Sequence, residues 1–340
     1  MNKENQQVVG NSPALSEALE QASRLAQINR PILVIGERGT GKELLAERIH
    51  YLSMRWDQPL LKINCAAIAE SLLESELFGH EPGAFTGATR VHQGRFERAA
   101  GGTLFLDELA NMSLGLQEKL LRVIEYGEFE RLGGQTTLHA DVRVVAATNA
   151  DLKQLARDSR FRADLLDRLS FDVVHVPPLH HREGDIMELA YHFAVHMCSE
   201  LGWEAFPGFT EAAAEQLLHH PWPGNVRELK NVVERSLYRW GDASRPVADI
   251  VLDPFVSPYQ GLLEPDATTG PQRPENGAEV STTGNFAIEV AAFEIRLLRA
   301  ALSENHFHQG ATATALGLSY DQLRGLLRKY KLSRERERTR

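Results

Sequence analysis

The sequence predicts an α/β chain: a parallel-sheet domain with a small helical subdomain, then a linker and an all-α terminal module. Three observations carry that prediction. Short apolar runs alternate with helix-like segments from Val8 to about Gly241, the pattern of parallel strands joined by crossover helices. A glycine-rich loop, Gly36-Glu37-Arg38-Gly39-Thr40-Gly41-Lys42, follows the first apolar run and opens a helix. After about Pro207 the strand signals fade and helical periodicity takes over.

Taken in order, Pro31-Ile32-Leu33-Val34-Ile35 reads as a buried strand, and a helix runs from about Lys42 to Leu52. Leu60 to Asn64, Thr103 to Asp107 and Val142 to Thr148 are three further strands. Phe209 to His219 and Val226 to Tyr238 read as helices of the subdomain. From about Ser257 to Asn285 the chain is rich in Pro, Gly, Thr, Ser and Glu, a composition that cannot bury a core. Helical periodicity returns in Phe286 to Ser303, Gly310 to Leu316 and Tyr320 to Tyr330, with a turn at Gly317-Leu318-Ser319. The expected domains are a tail over 1–8, an ATPase-like domain over 9–238 with its helical part from about 207, a linker over 239–285 and a terminal module over 286–340.

The 340 residues carry a formal net charge of −9, which excludes a chain that binds nucleic acid over its whole surface. From Phe286 onward, however, ten Lys/Arg face six Asp/Glu. A basic end on an acidic body points to one local polyanion-binding module. The two cysteines, Cys65 and Cys198, fit no metal-ligand spacing and read as reduced thiols of a cytoplasmic protein. The start, Met1-Asn2-Lys3-Glu4-Asn5, lacks the apolar core of a signal peptide, and no apolar run reaches membrane-spanning length.

The loop Gly36–Lys42 has the context a phosphate loop requires: glycines let backbone N–H groups converge on phosphate, and Lys42 reaches the terminal phosphates. Glu37, Arg38, Thr40 and Glu43 complete the expected ATP site. Glu43 stands where Ser or Thr usually binds the metal, so Mg²⁺ must rely more on Asp107, phosphate oxygens and water. Asp107-Glu108 ends an apolar strand, placing Asp107 for metal-bound water and Glu108 for polarising the attacking water. Asn149, also at a strand end, is suited to hydrogen-bond water or the γ-phosphate, or to cap a turn. Arg162 and Arg168 read either as surface ion-pair residues or as arginine fingers supplied to a neighbour. Arg227, at a helix start, reads as a surface salt bridge or as a group reaching back to phosphate.

Between the phosphate loop and the acidic strand lies Gly83-Ala84-Phe85-Thr86-Gly87-Ala88. It is uncharged, with glycines and small residues around one apolar side chain, and suits a mobile loop with a hydrophobic tip. Together with Gly36–Glu43, Leu106-Asp107-Glu108, Phe161–Arg168 and Trp222–Leu229, it resembles the bacterial enhancer-binding proteins, AAA+ ATPases that activate sigma-54 RNA polymerase. The resemblance spans about Val9 to Tyr238, and Glu43 fits it. It implies a homo-hexamer with ATP and Mg²⁺ at subunit interfaces. It also implies that Arg162 and Arg168 act as fingers in trans, Arg227 as a second sensor and Asn64 as the partner of Glu108. Gly83 to Ala88 then contact the sigma factor through Phe85 and Thr86, and Arg131-Leu132-Gly133-Gly134 belongs to a second pore loop. The phosphate loop begins at Gly36, so no receiver-sized domain precedes it. That short architecture, with Tyr51-Leu52-Ser53-Met54-Arg55-Trp56, resembles the branch that serves a phage-shock operon. That branch is restrained in trans by a peripheral membrane stress protein, for which Trp56 is a candidate contact.

The terminal module reads as helix, glycine turn, helix and resembles the Fis-type helix-turn-helix that ends many enhancer-binding proteins, implying upstream enhancer DNA as a partner. Ser319 is its expected N-cap, with Tyr320, Asp321, Gln322, Arg324, Arg328 and Lys329 on the exposed face. Arg334, Arg336, Arg338 and Arg340 extend the basic end. A DNA-handling ATPase, such as a helicase loader or clamp remodeller, is the competing reading. It would be expected to carry Lys or Arg in the pore, and Gly83–Ala88 has none. A nucleotide-sensing repressor without turnover fits poorly with Lys42, Asp107 and Glu108 together.

Overall fold

The computed structural model describes residues 8–255, 286–305, 308–330 and 332. The chain divides into two units, Met1–Val256 and Ser257–Arg340. Among the described residues of the first, seven strands form: β1 (Ile32–Ile35), β2 (Leu60–Asn64), β3 (Thr103–Asp107), β4 (Glu128–Glu130), β5 (Thr137–His139), β6 (Arg143–Thr148) and β7 (Val173–His175). Five make one parallel sheet in the order β2-β3-β6-β1-β7, while β4 and β5 pair antiparallel as a separate ribbon. The four strands expected from apolar runs are all in the sheet. β7 and the ribbon were not expected, because three residues are too few to display an alternation.

Side chains alternate across the sheet and both faces are buried. Leu33, Leu104, Leu106, Val144 and Ala146 enter one core with Phe78, Phe96 and Leu120. Val34, Phe105, Val145 and Ala147 enter the opposite core with Ala22, Leu45 and Ile49 from the helices Pro13–Ala26 and Lys42–Tyr51. Helices covering both faces of a parallel sheet explain why its strands are apolar throughout. Arg143, at the start of β6, is buried; its guanidinium donates to the carbonyls of Leu25 and Ala26 at 2.8 Å and closes the end of the first helix.

The helical layer is larger than the sequence suggested. It includes the helix Glu183–Glu200, upstream of position 207, as well as Glu211–His219 and Asn225–Trp240. Leu189, Leu217, Trp222, Leu229 and Val233 share its core with Leu179. The segment after Trp240, expected as the start of the linker, also belongs here. Val247 is fully buried, its N–H donates to Gly208 O at 2.9 Å, and its carbonyl accepts from Thr210 N at 2.9 Å. One buried valine therefore anchors a stretch whose composition reads as loop. At the other end of the chain, Asp185 Oδ1 accepts the N–H groups of Asn11 and Ser12 at 2.7 and 2.8 Å. Its Oδ2 accepts Ser12 Oγ–H at 2.6 Å and Arg182 Nε–H at 2.8 Å.

In the second unit the helices are Phe286–Glu304, Gln309–Ala315 and Tyr320–Lys329, packed around Leu298, Leu302, Ala313, Leu323 and Leu327. Gly317 has φ +64°, a conformation glycine adopts without strain, and it turns the chain between the last two helices. Ser319 and Gln322 form a capping box: Ser319 Oγ accepts Gln322 N–H at 3.2 Å and Gln322 Oε1 accepts Ser319 N–H at 2.8 Å. The linker residues 256–285 and the arginines 334, 336, 338 and 340 lie outside the described residues. Among the described residues, no helix is long and apolar enough to cross a membrane.

Candidate functional site

The carboxyl ends of β1, β2, β3 and β6 deliver the expected groups to one edge of the sheet, where open parallel sheets bind ligands. Gly36 N donates to Thr148 O at 3.2 Å, seating the phosphate loop against β6. Gly39 and Gly41 have φ +77° and +97°, and the helix begins at Lys42. Lys42 Nζ donates to Gly36 O and Glu37 O, both at 2.9 Å. Burial lowers its pKa, while Asp107 and Glu108 pull the other way. Burial raises the pKa of Asp107, opposed by the Glu108 N–H and by Lys42. Cys65, whose N–H donates to Asp107 O, is pushed up to about 12 by burial and then by the two acids, so it is an inert thiol here.

Glu108 has φ +51° and ψ +43°, an uncommon conformation for a residue with a Cβ and a recurrent one at functional sites. The turn carries its carboxylate to Asn111, whose Nδ2 donates to Glu108 Oε2 at 3.2 Å. Asn64, expected as the partner of Glu108, is bonded to Asp107 instead in this structure. Asn64 and Asp107 are direct register partners on β2 and β3, so Asn64 Nδ2 faces Asp107 Oδ2 at 3.4 Å. Asn64 Oδ1 is occupied by the N–H groups of Ala66 and Ala67. Glu43 is also engaged: Lys62 Nζ bonds Glu43 Oε1 at 2.8 Å and Glu47 as well. Burial opposes the Lys62 charge, but these bonds raise its pKa overall. Asn149 is exposed at the end of β6.

The arginines sort into two groups. Arg227 is exposed beside the phosphate loop, and its N–H donates to Gly39 O at 3.3 Å. Arg38 and Arg227 both depress the Lys42 pKa, in the opposite sense to the acids. Arg162 and Arg168 make no bond to the phosphate loop. Arg162 forks onto Asp164 at 3.1 and 2.8 Å and reaches Glu118 at 3.4 Å, whereas Arg168 bonds Glu125 at 2.5 Å. Glu118 and Glu125 lie two turns apart on one face of the helix Leu114–Tyr126.

The hexapeptide closes on itself. Gly83 N donates to Ala88 O at 2.8 Å and Ala88 N to Phe85 O at 3.0 Å; Gly83 and Gly87 have φ +84° and +102°. Thr86 is exposed and Phe85 is 42% exposed, its ring lying edge-on to His80 at 4.9 Å. The loop stem is bonded to the second loop: Glu81 N donates to Leu132 O at 2.9 Å and Leu132 N to Gly79 O at 3.0 Å. Arg131 ties the same two segments through Glu81 at 2.7 Å and Glu97 at 2.5 Å, and its hydrogen bond holds the Glu97 pKa below the usual carboxylate range.

Sequence reasoning assigned no role to Asn225, which is fully buried with φ +53°. The available signal was its place between Gly224 and a helix start, since Asn tolerates the left-handed region better than most residues. The exposed face of the last helix carries Tyr320, Asp321, Arg324 and Arg328. Lys329 instead turns back to Glu294 at 3.3 Å, and the Gln322 carbonyl is used in the cap.

Residues 8–175 match the model of the Sigma-54 interaction domain, and residues 180–244 match the AAA+ ATPase lid domain. The chain is 53% identical over 327 residues to the Psp operon transcriptional activator of Escherichia coli K12, covering 96% of this chain and 98% of that one. It is 50% identical over 229 residues to a Nif-specific regulatory protein of Azotobacter vinelandii, covering 67% of this chain and 44% of the relative. The crystal structure of NtrX from Brucella abortus in complex with ATP superposes with a TM-score of 0.66 at 31% identity, covering 96% of this chain and 70% of NtrX.

Proposed function

The chain belongs to the AAA+ ATPases that carry a sigma-54 interaction domain, and from this premise we propose that it activates a phage-shock operon. It does so as a hexamer on upstream DNA, hydrolysing ATP to remodel the sigma-54 RNA polymerase promoter complex. The observation that carries this reading is the Gly83–Ala88 turn, which presents Phe85 and Thr86 outward from the domain that gathers Lys42, Asp107 and Glu108. An apolar, uncharged tip suits a protein target rather than a nucleic-acid strand, and many such tips on one ring act in parallel. The extent of the match to the Escherichia coli activator supports the phage-shock assignment.

The residues fit a nucleotide. A helix N-terminus with two left-handed glycines and a lysine bonded to loop carbonyls is the arrangement that accepts phosphate. Asp107, beside Lys42, would hold Mg²⁺ through water; the ion supplies charge neutralisation at the phosphates. Glu43, held by Lys62, contributes its charge rather than a free ligand. Glu108 polarises the attacking water, Asn64 orients Asp107, and Asn149 and Arg227 face the phosphates. Arg162 and Arg168 serve the neighbouring subunit; their carboxylate partners are surface pairs worth little in water and are readily exchanged.

In the terminal unit, the two helices joined at Gly317 act as a helix-turn-helix, with Ser319, Tyr320, Asp321, Gln322, Arg324, Arg328 and Lys329 forming the DNA-facing end. The negative regulator docks at Trp56, which is exposed, as are Tyr51 and Met54 near it in the chain. Purified chain added to sigma-54 RNA polymerase on a closed promoter should yield transcripts with ATP and none without it. ATP hydrolysis with no transcript overturns the reading.

A further inference from the structure

Asn225 joins three parts of the molecule. Its Nδ2 donates to Glu37 Oε2 at 2.9 Å and to Arg38 O at 3.1 Å, both on the phosphate loop. Its Oδ1 accepts the N–H of Leu179 at 2.7 Å. Leu179 begins the helical layer three positions after Val176, whose N–H donates to Ile35 O at 2.8 Å. One fully buried amide therefore bonds the phosphate loop, the passage from sheet to lid, and the lid helix on which it sits.

The backbone around it is equally close. A Cβ on Gly39 would lie 2.2 Å from Gly224 O, and Arg227 N donates to Gly39 O. The tip of the phosphate loop and the lid thus share one hydrogen-bonded seam with no room for a side chain. Two bonds from one amide to a carboxylate and a carbonyl give that seam a unique register.

We infer that Asn225 is a positioning residue that holds the phosphate loop and the lid as one piece, so that a displacement of Glu37 and Arg38 by nucleotide reaches the lid directly. This coupling acts beside the Arg227 guanidinium and needs no contact between Asn225 and nucleotide. It rests on the phosphate loop being the nucleotide site, and its first test is made without nucleotide, so the two readings fail separately.

The experiment is amide hydrogen exchange on the nucleotide-free full chain, read in peptides covering 36–42 and 178–181. Asn225→Gly removes the amide, and glycine tolerates the left-handed backbone. It should speed exchange in both peptides on the order of tenfold, the usual worth of a bond to a charged group, with the thermal midpoint of the sheet domain little changed. Unchanged exchange in 36–42 overturns the proposal. Asn225→Asp sets a carboxylate against Glu37 and should loosen the same peptides. Adding Glu37→Gln should recover most of that loss relative to Glu37→Gln alone, because an amide at position 37 can donate to a carboxylate at 225. With ATP, the same cycle should appear in KM more than in kcat. A double variant as loose as the sum of the singles also overturns the proposal.

Discussion

Lys42, Asp107 and Glu108 are three charges whose environments set different tasks. Lys42→Ala should abolish ATP binding, measured by titration with a fluorescent ATP analogue. Glu108→Gln should still bind it while turnover falls about 10²–10⁴-fold, the range for loss of a general base; undiminished hydrolysis would remove Glu108 from that role. Asp107 has a folded pKa raised above its usual 3.8, chiefly by burial. Its charged form is therefore disfavoured in the fold, and the associated stability is lost as pH rises through the folded pKa. Asp107→Asn should consequently melt higher than the parent at neutral pH while losing turnover. That difference should close as the pH falls below 3.8. A lower melting temperature at pH 7 would contradict the sign of this effect.

At the scale of elements, the parallel sheet tolerates little. Leu106 is fully buried between the β3 neighbours and the helices above, and Leu106→Ala should cost about 2–5 kcal/mol in urea unfolding. Asp185→Asn should cost about 3 kcal/mol, because it leaves the buried Arg182 without its anion. Burial alone would raise the Asp185 pKa, but bonds from Ser12, Arg182 and Asn11 lower it overall. That stability is present above pH 3.8 and is lost as pH falls through the folded pKa, so the two proteins should converge under acid. These elements were unequally legible beforehand. The four longer strands and the phosphate loop announced themselves by apolar runs and glycine spacing. β7 did not, because three residues on the sheet edge carry no pattern. The Glu183–Glu200 helix buries Ile186, Leu189, Ala190, Ala194 and Cys198, a helical spacing that was present but mixed with histidines and small residues. The partner of Asn64 was illegible, since it depends on which residue lies opposite in the next strand.

At the scale of the molecule, the chain is built as two separately cored units. A chain ending at Gly284 should keep its ATPase and lose sequence-specific DNA binding, read by mobility shift; retained specific binding would remove the terminal unit from that role. Phe85→Ala and Thr86→Ala should hydrolyse ATP within a few-fold of the parent yet fail to open the promoter. The Arg131 bonds to Glu81 and Glu97 predict that the hexapeptide and the second loop respond together. That link was invisible in one dimension because its members are spread from position 81 to position 131.

The clasp of Asn11 and Ser12 on Asp185 also bears on where the chain can be divided. Residues ahead of the sheet complete a polar node whose acceptor lies 173 positions later. The loop closed by that contact contains the whole sheet, so the node exists only where the sheet holds its two flanks together. Excised from about position 180, the three lid helices would keep their leucines but expose Asp185 and Arg182 without the Ser12 hydroxyl and the strap's N–H groups. The lid is therefore completed by residues that precede the sheet, and a graft of it must carry the Val9–Ser12 strap to keep Asp185 and Arg182 satisfied.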